Sequence, residues 1–314
     1  MFINKFLEVF MNINTLTDDF HKVDNAIILA AGFGSRFVPI TFDVPKGLVK
    51  VFGEPMIERQ IKQLHEAGVT DITIVVGYLK EKFDYLTDKY GVKLVYNPEY
   101  SVKNSLSSLY HVRHLLKNTY ILASDNWIRT NIYNSHEPHA WYSGAFMCGE
   151  TSEWCLITDE SHKVTDVTIG GSNSYVMYGP AYFDREFSEK FKFLLEKYYE
   201  TPGTDNFYWE QPVKDHISEL NLYCNRQPDN TIYEFENLEE LRLFDVAYRT
   251  ASGNKALEYI AGTFNISEND IVNIKCLKSD NSTKAFSFNV KSNKYICKIK
   301  DSGTEFVITD DKSL

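Results

Sequence analysis

The stretch that most constrains this chain is residues 26–50, Ala-Ile-Ile-Leu-Ala-Ala-Gly-Phe-Gly-Ser-Arg-Phe-Val-Pro-Ile-Thr-Phe-Asp-Val-Pro-Lys-Gly-Leu-Val-Lys. Ala26 to Ala31 is an unbroken apolar run, the pattern of a strand buried on both faces of a parallel sheet. The run breaks at Gly32 and Gly34, where the missing Cβ lets the backbone take a positive φ and approach a ligand closely. Arg36 follows, and Lys46 sits behind Pro45. Exposed backbone N–H groups with two placed cations make a cradle for a polyphosphate. A Walker A loop would need Gly-Lys-Ser/Thr at its end, and none is present. A dinucleotide fingerprint would need a small residue at position 37, which is Phe37.

What remains, Leu29-Ala-Ala-Gly-Phe-Gly-Ser-Arg36 followed by Pro45-Lys-Gly-Leu48, resembles the N-terminal signature of nucleotidyltransferases that join an NTP to a phosphorylated small molecule. The net charge of −10 argues against a nucleic-acid or anionic-membrane binder, which would show a basic face. An anionic substrate must therefore be drawn by a local cluster, for which Arg36, Lys46 and Lys50 are the candidates. Five cysteines form no C-x-x-C pair and no zinc spacing, as expected of reduced thiols in a cytoplasmic protein. No apolar run is long enough to span a membrane, and the N-terminus lacks the pattern of a signal peptide.

Residues 1–24 read as a short leader, partly helical and without a motif. From Ala26 strands and helices alternate. Helices are expected over Pro55–Gly68, Lys80–Tyr90 and Ser105–Leu116, and strands over Ile72–Val76, Lys93–Tyr96 and Tyr120–Ala123. Such repeats imply right-handed crossovers and a parallel, Rossmann-like sheet, with ligands beyond the carboxyl ends of its strands. Gly32–Arg36, Gly77-Tyr78 and Asp125 all fall at such ends. From Ala140 four short strands are expected: Ser143–Cys148, Trp154–Thr158, Lys163–Ile169 and Ser174–Tyr182. Then come helices at Ser188–Glu200 and Trp209–Leu220, a strand at Ile232–Glu236 and a closing helix at Leu238–Val246. Beyond Thr250 a separate small α+β unit is expected. It has a helix at Lys255–Thr263 and a meander of strands at Ile271–Leu277, Ala285–Val290 and Lys294–Lys300, with turns at Asn281 and Ser292-Asn293.

An acidic residue at the end of a buried strand, opposite a phosphate loop, is where Mg²⁺ is expected. That cation takes oxygen ligands, usually one or two carboxylates plus substrate phosphates. Asp125 in Leu122-Ala-Ser-Asp-Asn126 fits. Glu234 and Glu236 lie two apart and would share one face of a strand. They also read as a solvent-facing strand edge.

At this point the resemblance becomes specific. Residues 25–249 resemble the bacterial CTP:phosphocholine cytidylyltransferases. The matching pieces are Ala26–Lys46, Glu58–Leu64, Val75–Phe83, Ser124–Asn126, Glu153-Trp154, Phe207–Trp209 with Val213–Asp215, and Ile232–Leu238, in the family's order. The resemblance implies a single α/β domain of the nucleoside-diphosphate-sugar transferase (GT-A-like) type. It implies that Gly32, Gly34, Ser35 and Arg36 hold the CTP phosphates. The backbone near Ala30 and Tyr78 would meet the base, and Ala31 would also lie at the nucleotide. Lys46 would contact the reacting phosphate, with Arg36 as the second catalytic cation. Asp125, itself at the nucleotide, would hold Mg²⁺ together with Glu234 or Glu236. Two departures stand out. Some relatives carry Asp where this chain has Ala123, and the second carboxylate, usually Asp, is Glu236 here. The product would be CDP-choline, for surface-polymer decoration or lipid headgroup supply, and the resemblance admits a homodimer.

A quaternary ammonium donates no hydrogen bond and is held over aromatic faces. Trp154, Tyr178, Tyr208 and Trp209 are the candidates for the choline end, with Asp205 or Glu210 adding charge complementarity. Most aromatics in any chain are core. Residues 250–314 resemble the opening of a choline-kinase-like lobe, with Lys298 at its phosphate-contacting cation. The sequence ends at Leu314 without room for that fold's catalytic-loop and metal-binding aspartates, so no kinase activity is expected and the segment reads as a truncated or vestigial lobe. The competing readings are a sugar-1-phosphate nucleotidylyltransferase, which needs polar residues where this chain offers Trp and Tyr, and a non-catalytic nucleotide sensor on the same fold.

Overall fold

A computed structural model describes residues 20–277, 284–300, 303 and 305–310. In chain order its main elements are β1 (Asn25–Ala30), α1 (Met56–Glu66), β2 (Ile72–Val76), α2 (Tyr85–Tyr90), β3 (Lys93–Tyr96), α3 (Ser105–His111), β4 (Thr119–Ala123) and β5 (Asn126–Ile128). They are followed by β6 (Trp141–Thr158), β7 (Val164–Phe183), α4 (Arg185–Glu200), α5 (Glu210–Asp215), β8 (Tyr223–Arg226), β9 (Ile232–Glu234) and α6 (Leu238–Phe244). The chain closes with α7 (Lys255–Phe264), β10 (Ile271–Cys276), β11 (Lys284–Val290), β12 (Asn293–Ile299) and β13 (Phe306–Asp310). Among the described residues no helix is long and apolar enough to cross a membrane.

The chain forms two compact units. One comprises Met1–Ala31 and Gln60–Tyr233, the other Gly32–Arg59 and Glu234–Leu314. The first is built on a seven-stranded mixed sheet in the order β8-β6-β7-β4-β1-β2-β3. β4, β1, β2 and β3 run parallel to one another. β1 and β2 are buried almost throughout, which is why their sequences are continuous apolar runs rather than alternations. The core lies between this sheet and the helices α3, α4 and α5, where Leu106, Leu109, Phe187, Phe191, Leu195 and Val213 meet Ile27, Ile121 and Phe183.

The four short strands expected after Ala140 are two long ones. β6 and β7 form a single antiparallel ribbon whose register shifts near Gly144, Met147 and Thr151. Gly149 and Gly170 adopt positive φ (79° each), so residues that read as chain breaks serve as bulges inside continuous strands. The ribbon turns at Asp159, whose Oδ1 accepts the N–H groups of Ser161 and Lys163 at 2.9 and 3.0 Å. The helices expected over Lys80–Tyr90, Ser105–Leu116 and Trp209–Leu220 each divide into a short α-helix and a 3₁₀ turn. The strand expected to reach Glu236 ends at Glu234.

In the second unit β10-β11-β12-β13 form an antiparallel sheet. The first three are the expected meander, and β13, Phe-Val-Ile-Thr-Asp, adds a fourth strand paired antiparallel with β12. Phe286 and Phe288 are fully buried, as are Leu257 and Ile260 of α7. Arg242 of α6 is buried and donates to the carbonyls of Ile271 and Glu268, both at 2.7 Å. The turn expected at Asn281 and the leader up to residue 19 lie outside the described residues. All five cysteines are free thiols. Burial pushes Cys224 up to about 11 and Cys297 up to about 12, so both stay protonated at neutral pH.

Candidate active site

In the first unit the carboxyl ends of the parallel strands lie side by side. The Tyr78 N–H donates to the Ala31 carbonyl at 3.0 Å, and the Ser124 N–H to Leu29 at 3.0 Å. Gly77 allows this approach. A Cβ there would stand 2.6 Å from the Ala31 carbonyl oxygen and 2.6 Å from the Tyr100 ring. Asp125 sits, half-buried, on the turn between β4 and β5. That turn is fixed from α1: the Gln60 amide donates to the carbonyls of Ala123 and Asn126, both at 3.0 Å. The fully buried Gln60 thus does a job that no local pattern announced.

In the second unit the loop from Gly32 to Lys46 folds back on itself through 3₁₀ turns at Ser35–Phe37, Ile40–Phe42 and Lys46–Leu48. Gly34 has φ +68°, a conformation that L side chains rarely adopt. Its carbonyl accepts from the Phe37 N–H at 2.9 Å and from the hydroxyl of the buried Thr41 at 2.9 Å. A Cβ on Gly34 would lie 3.1 Å from the Lys46 Cβ and 3.3 Å from Thr41 Cγ2. The Lys46 ammonium lies 5.2 Å from the centroid of the Phe37 ring. Gly32 has nothing within 4 Å of a Cβ position, and Ser35 and Arg36 are exposed. The Arg36 guanidinium forms an ion pair with Glu236. The Glu236 backbone N–H donates to the Glu240 carboxylate at 2.8 Å.

The acceptor candidates divide. Trp154, on β6, meets Tyr208 edge to face, with centroids 6.5 Å apart and an interplanar angle of 87°. Tyr208 is 52% exposed. Trp209 goes the other way into the core: it is 5% exposed, stacks on Tyr142 at 5.7 Å and meets Phe183 and Phe191 edge-on. Tyr178 is half-buried on β7. Glu210 accepts from the Tyr142 hydroxyl at 3.1 Å, while Asp205 is exposed, 3.9 Å from the Lys103 ammonium. A further group was not foreseen. Glu99 accepts from Tyr199 at 2.5 Å and from Lys103 and His111 at 3.0 Å each. Burial raises its pKa, but these hydrogen bonds outweigh it and hold the carboxyl below its ordinary value.

Among the described residues no group of three His, Cys, Asp or Glu side chains could hold a metal ion. Mg²⁺ does not need one, because water and substrate phosphates complete its shell. Asp125 offers a hard oxygen donor on a fixed turn, which fits that cation. Of the other two expected ligands, Glu236 is engaged by Arg36, and Glu234 is the half-buried last residue of β9. Lys298 is exposed on β12.

The first unit carries a half-buried aspartate at a parallel-strand end, and the second a glycine loop with a lysine packed against it, each described within its own unit. The family model described as nucleotidyl transferase matches residues 25–153. The chain belongs to this family, and its fold is the GT-A-like nucleotidyltransferase fold. It is 39% identical over 217 residues to the choline-phosphate cytidylyltransferase of Streptococcus pneumoniae, a match covering 69% of this chain and 95% of that protein. It is 38% identical over 228 residues to the 2-aminoethylphosphonate cytidylyltransferase of Lancefieldella rimae, covering 71% and 93%. The solved structure of CTP:phosphocholine cytidylyltransferase from Streptococcus pneumoniae superposes with a TM-score of 0.69 at 38% identity, covering 71% of this chain and 97% of that one.

Proposed function

We propose that the protein is a Mg²⁺-dependent cytidylyltransferase that joins CTP and phosphocholine to give CDP-choline and pyrophosphate. The nucleotide half of this reading is supported by the two cytidylyltransferase relatives, each matched over more than nine-tenths of its length. The observation that carries the acceptor is the Trp154–Tyr208 pair. Its two rings at right angles offer π faces to a trimethylammonium group, which has no N–H to donate.

In this reading a phosphate oxygen of phosphocholine attacks the α-phosphorus of CTP in line. The new P–O bond forms as the bond to the β-phosphate bridging oxygen breaks, and the electron pair leaves with pyrophosphate. The nucleophile is already an anion, so no general base is required. Arg36, Lys46 and the N–H groups of Gly32–Ser35 bind the triphosphate and offset the charge that builds on its oxygens. The backbone of Ala30 and Tyr78 is assigned to the base, with Ala31 also at the nucleotide. Mg²⁺, held by Asp125 with Glu234 or Glu236, would supply further charge neutralisation when bound. Free thiols and a nucleotide substrate fit a cytoplasmic enzyme.

A second acceptor is favoured by the Lancefieldella rimae relative, namely 2-aminoethylphosphonate, whose primary ammonium would need hydrogen-bond acceptors instead of aromatic faces. Pyrophosphate release should be measured across CTP, UTP, ATP and GTP with phosphocholine, phosphoethanolamine, 2-aminoethylphosphonate and glucose 1-phosphate. Release fastest with CTP and phosphocholine supports the proposal. Preference for the phosphonate or the sugar phosphate replaces the acceptor. No release from any pair leaves a nucleotide sensor.

A further inference from the structure

Nearly a third of the chain lies outside the match to the cytidylyltransferases, and the reaction above gives no task to the helix and sheet beyond residue 250. Two of their side chains reach the Gly32–Lys46 loop inside the second unit. Asn254 is buried, and its amide nitrogen donates to the Pro39 carbonyl at 3.3 Å. Its carbonyl oxygen simultaneously caps α7, accepting from Ala256 and Leu257 at 3.1 and 3.2 Å. The Lys284 ammonium, at the start of β11, donates to the Phe42 carbonyl at 2.5 Å and to Asp43 at 3.0 Å. Between these two contacts the Phe42 ring packs 6.2 Å from that of the fully buried Phe286, and 6.0 Å from Phe33 on the other side.

The segment so held, Pro39–Asp43, contains Thr41, and Thr41 is what grips Gly34. Its hydroxyl bonds the Gly34 carbonyl, and its methyl stands beside the Gly34 α-carbon together with the Lys46 stem. Displacement of Pro39 or Phe42 therefore passes through the Thr41 side chain to Gly34, against which the Lys46 stem packs. We propose that Asn254 and Lys284 are positioning residues for nucleotide binding, clamping the Pro39–Asp43 segment so that Gly34 and Lys46 are preorganised before the triphosphate arrives. The inference rests on the assignment of the Gly32–Lys46 loop to the nucleotide. Both act on Pro39, Phe42 and Asp43, and neither is assigned a contact with substrate. Their effect is on how much of the protein holds the loop in its binding geometry.

The informative variant is Asn254→Asp. It keeps the oxygen that caps α7, so the helix start is preserved. It replaces the amide donor by a carboxylate oxygen facing the Pro39 carbonyl. Lys284→Met keeps the aliphatic stem and removes both hydrogen bonds from an exposed position, and Lys284→Arg restores a donor. Hydrogen exchange at the amides of residues 34–46 is expected to accelerate in Asn254→Asp and Lys284→Met and to return towards the wild-type rate in Lys284→Arg. In steady-state assays the KM for CTP should rise about fivefold, the scale of one lost hydrogen bond, with the acceptor KM unchanged. Wild-type exchange across 34–46 in both variants would overturn the clamp, as would equal rises in both KM values. If the wild-type protein releases no pyrophosphate from CTP, the functional reading falls, while the exchange data still decide the clamp.

Discussion

Gly34 and Lys46 are packed against each other. The α-carbon of Gly34 faces the Lys46 stem so closely that a Cβ would lie 3.1 Å from the Lys46 Cβ. Glycine is thus favoured twice at position 34, for its positive φ and for this tight contact. Gly34→Ala should cost about 1–2 kcal/mol from the left-handed conformation alone. It should also push Lys46 outward. Urea unfolding is expected to show that loss, and kcat/KM for CTP to fall further than the stability change explains. An alanine variant with unaltered kinetics would show that the loop tolerates a shifted lysine.

Lys46 is the cation assigned to the reacting phosphate. Lys46→Ala should slow turnover by about 10²–10³-fold, on the scale of one placed electrostatic donor, with thermal stability close to that of the unaltered protein. Turnover near the wild-type rate would remove it from the catalytic assignment.

The edge-to-face geometry of Trp154 and Tyr208 predicts a selective effect on the acceptor. Trp154→Ala should raise the KM for phosphocholine about tenfold, within the range of a lost cation–π contact, and leave the KM for CTP nearly unchanged. Equal rises in both constants would mean that Trp154 supports the fold instead. Trp209→Phe, in the core, should lower the melting temperature before it changes either KM.

Glu99 predicts an acid limb in stability. Its folded pKa lies below the ordinary carboxylate value because the bonds from Tyr199, Lys103 and His111 outweigh burial. A depressed carboxylate contributes stability that is present above its unfolded pKa and is lost as pH falls through its folded pKa. Melting temperature should therefore drop on acidification from about pH 5 to about pH 3. Glu99→Gln should be less stable at neutral pH and flatter over that window. Parallel curves for the two proteins would show that other carboxylates dominate.

The parallel half of the sheet was legible because burial on both faces turns β1 and β2 into plain apolar words. The β6–β7 ribbon was not, because Gly149 and Gly170 punctuate a sequence whose backbone runs straight through them. The tight turn at Gly34 was legible in its glycine, since the left-handed backbone found there favours that residue. Thr41, Gln60 and Asn254 were not. Each acts through a hydrogen bond to a backbone carbonyl, which any residue supplies, so no local pattern marks the partner. Trp209 and Trp154 read alike in sequence, because aromatic identity does not say whether a ring is buried beside Phe191 or left partly exposed at the margin of the core.

The Arg36–Glu236 ion pair has a consequence for ligand entry. Arg36 is 68% exposed and Glu236 42%, so the pair is solvent-screened and adds little to stability. On the proposed function, a triphosphate that takes Arg36 would enter by anion exchange, one counter-ion leaving the guanidinium as another arrives. The loop carries no net excess of charge at that position while it waits, and the displaced carboxylate is left seeking a cation of its own. A cation delivered with the nucleotide would satisfy it, so that each of the two side chains would exchange its present partner for one that the ligand brings.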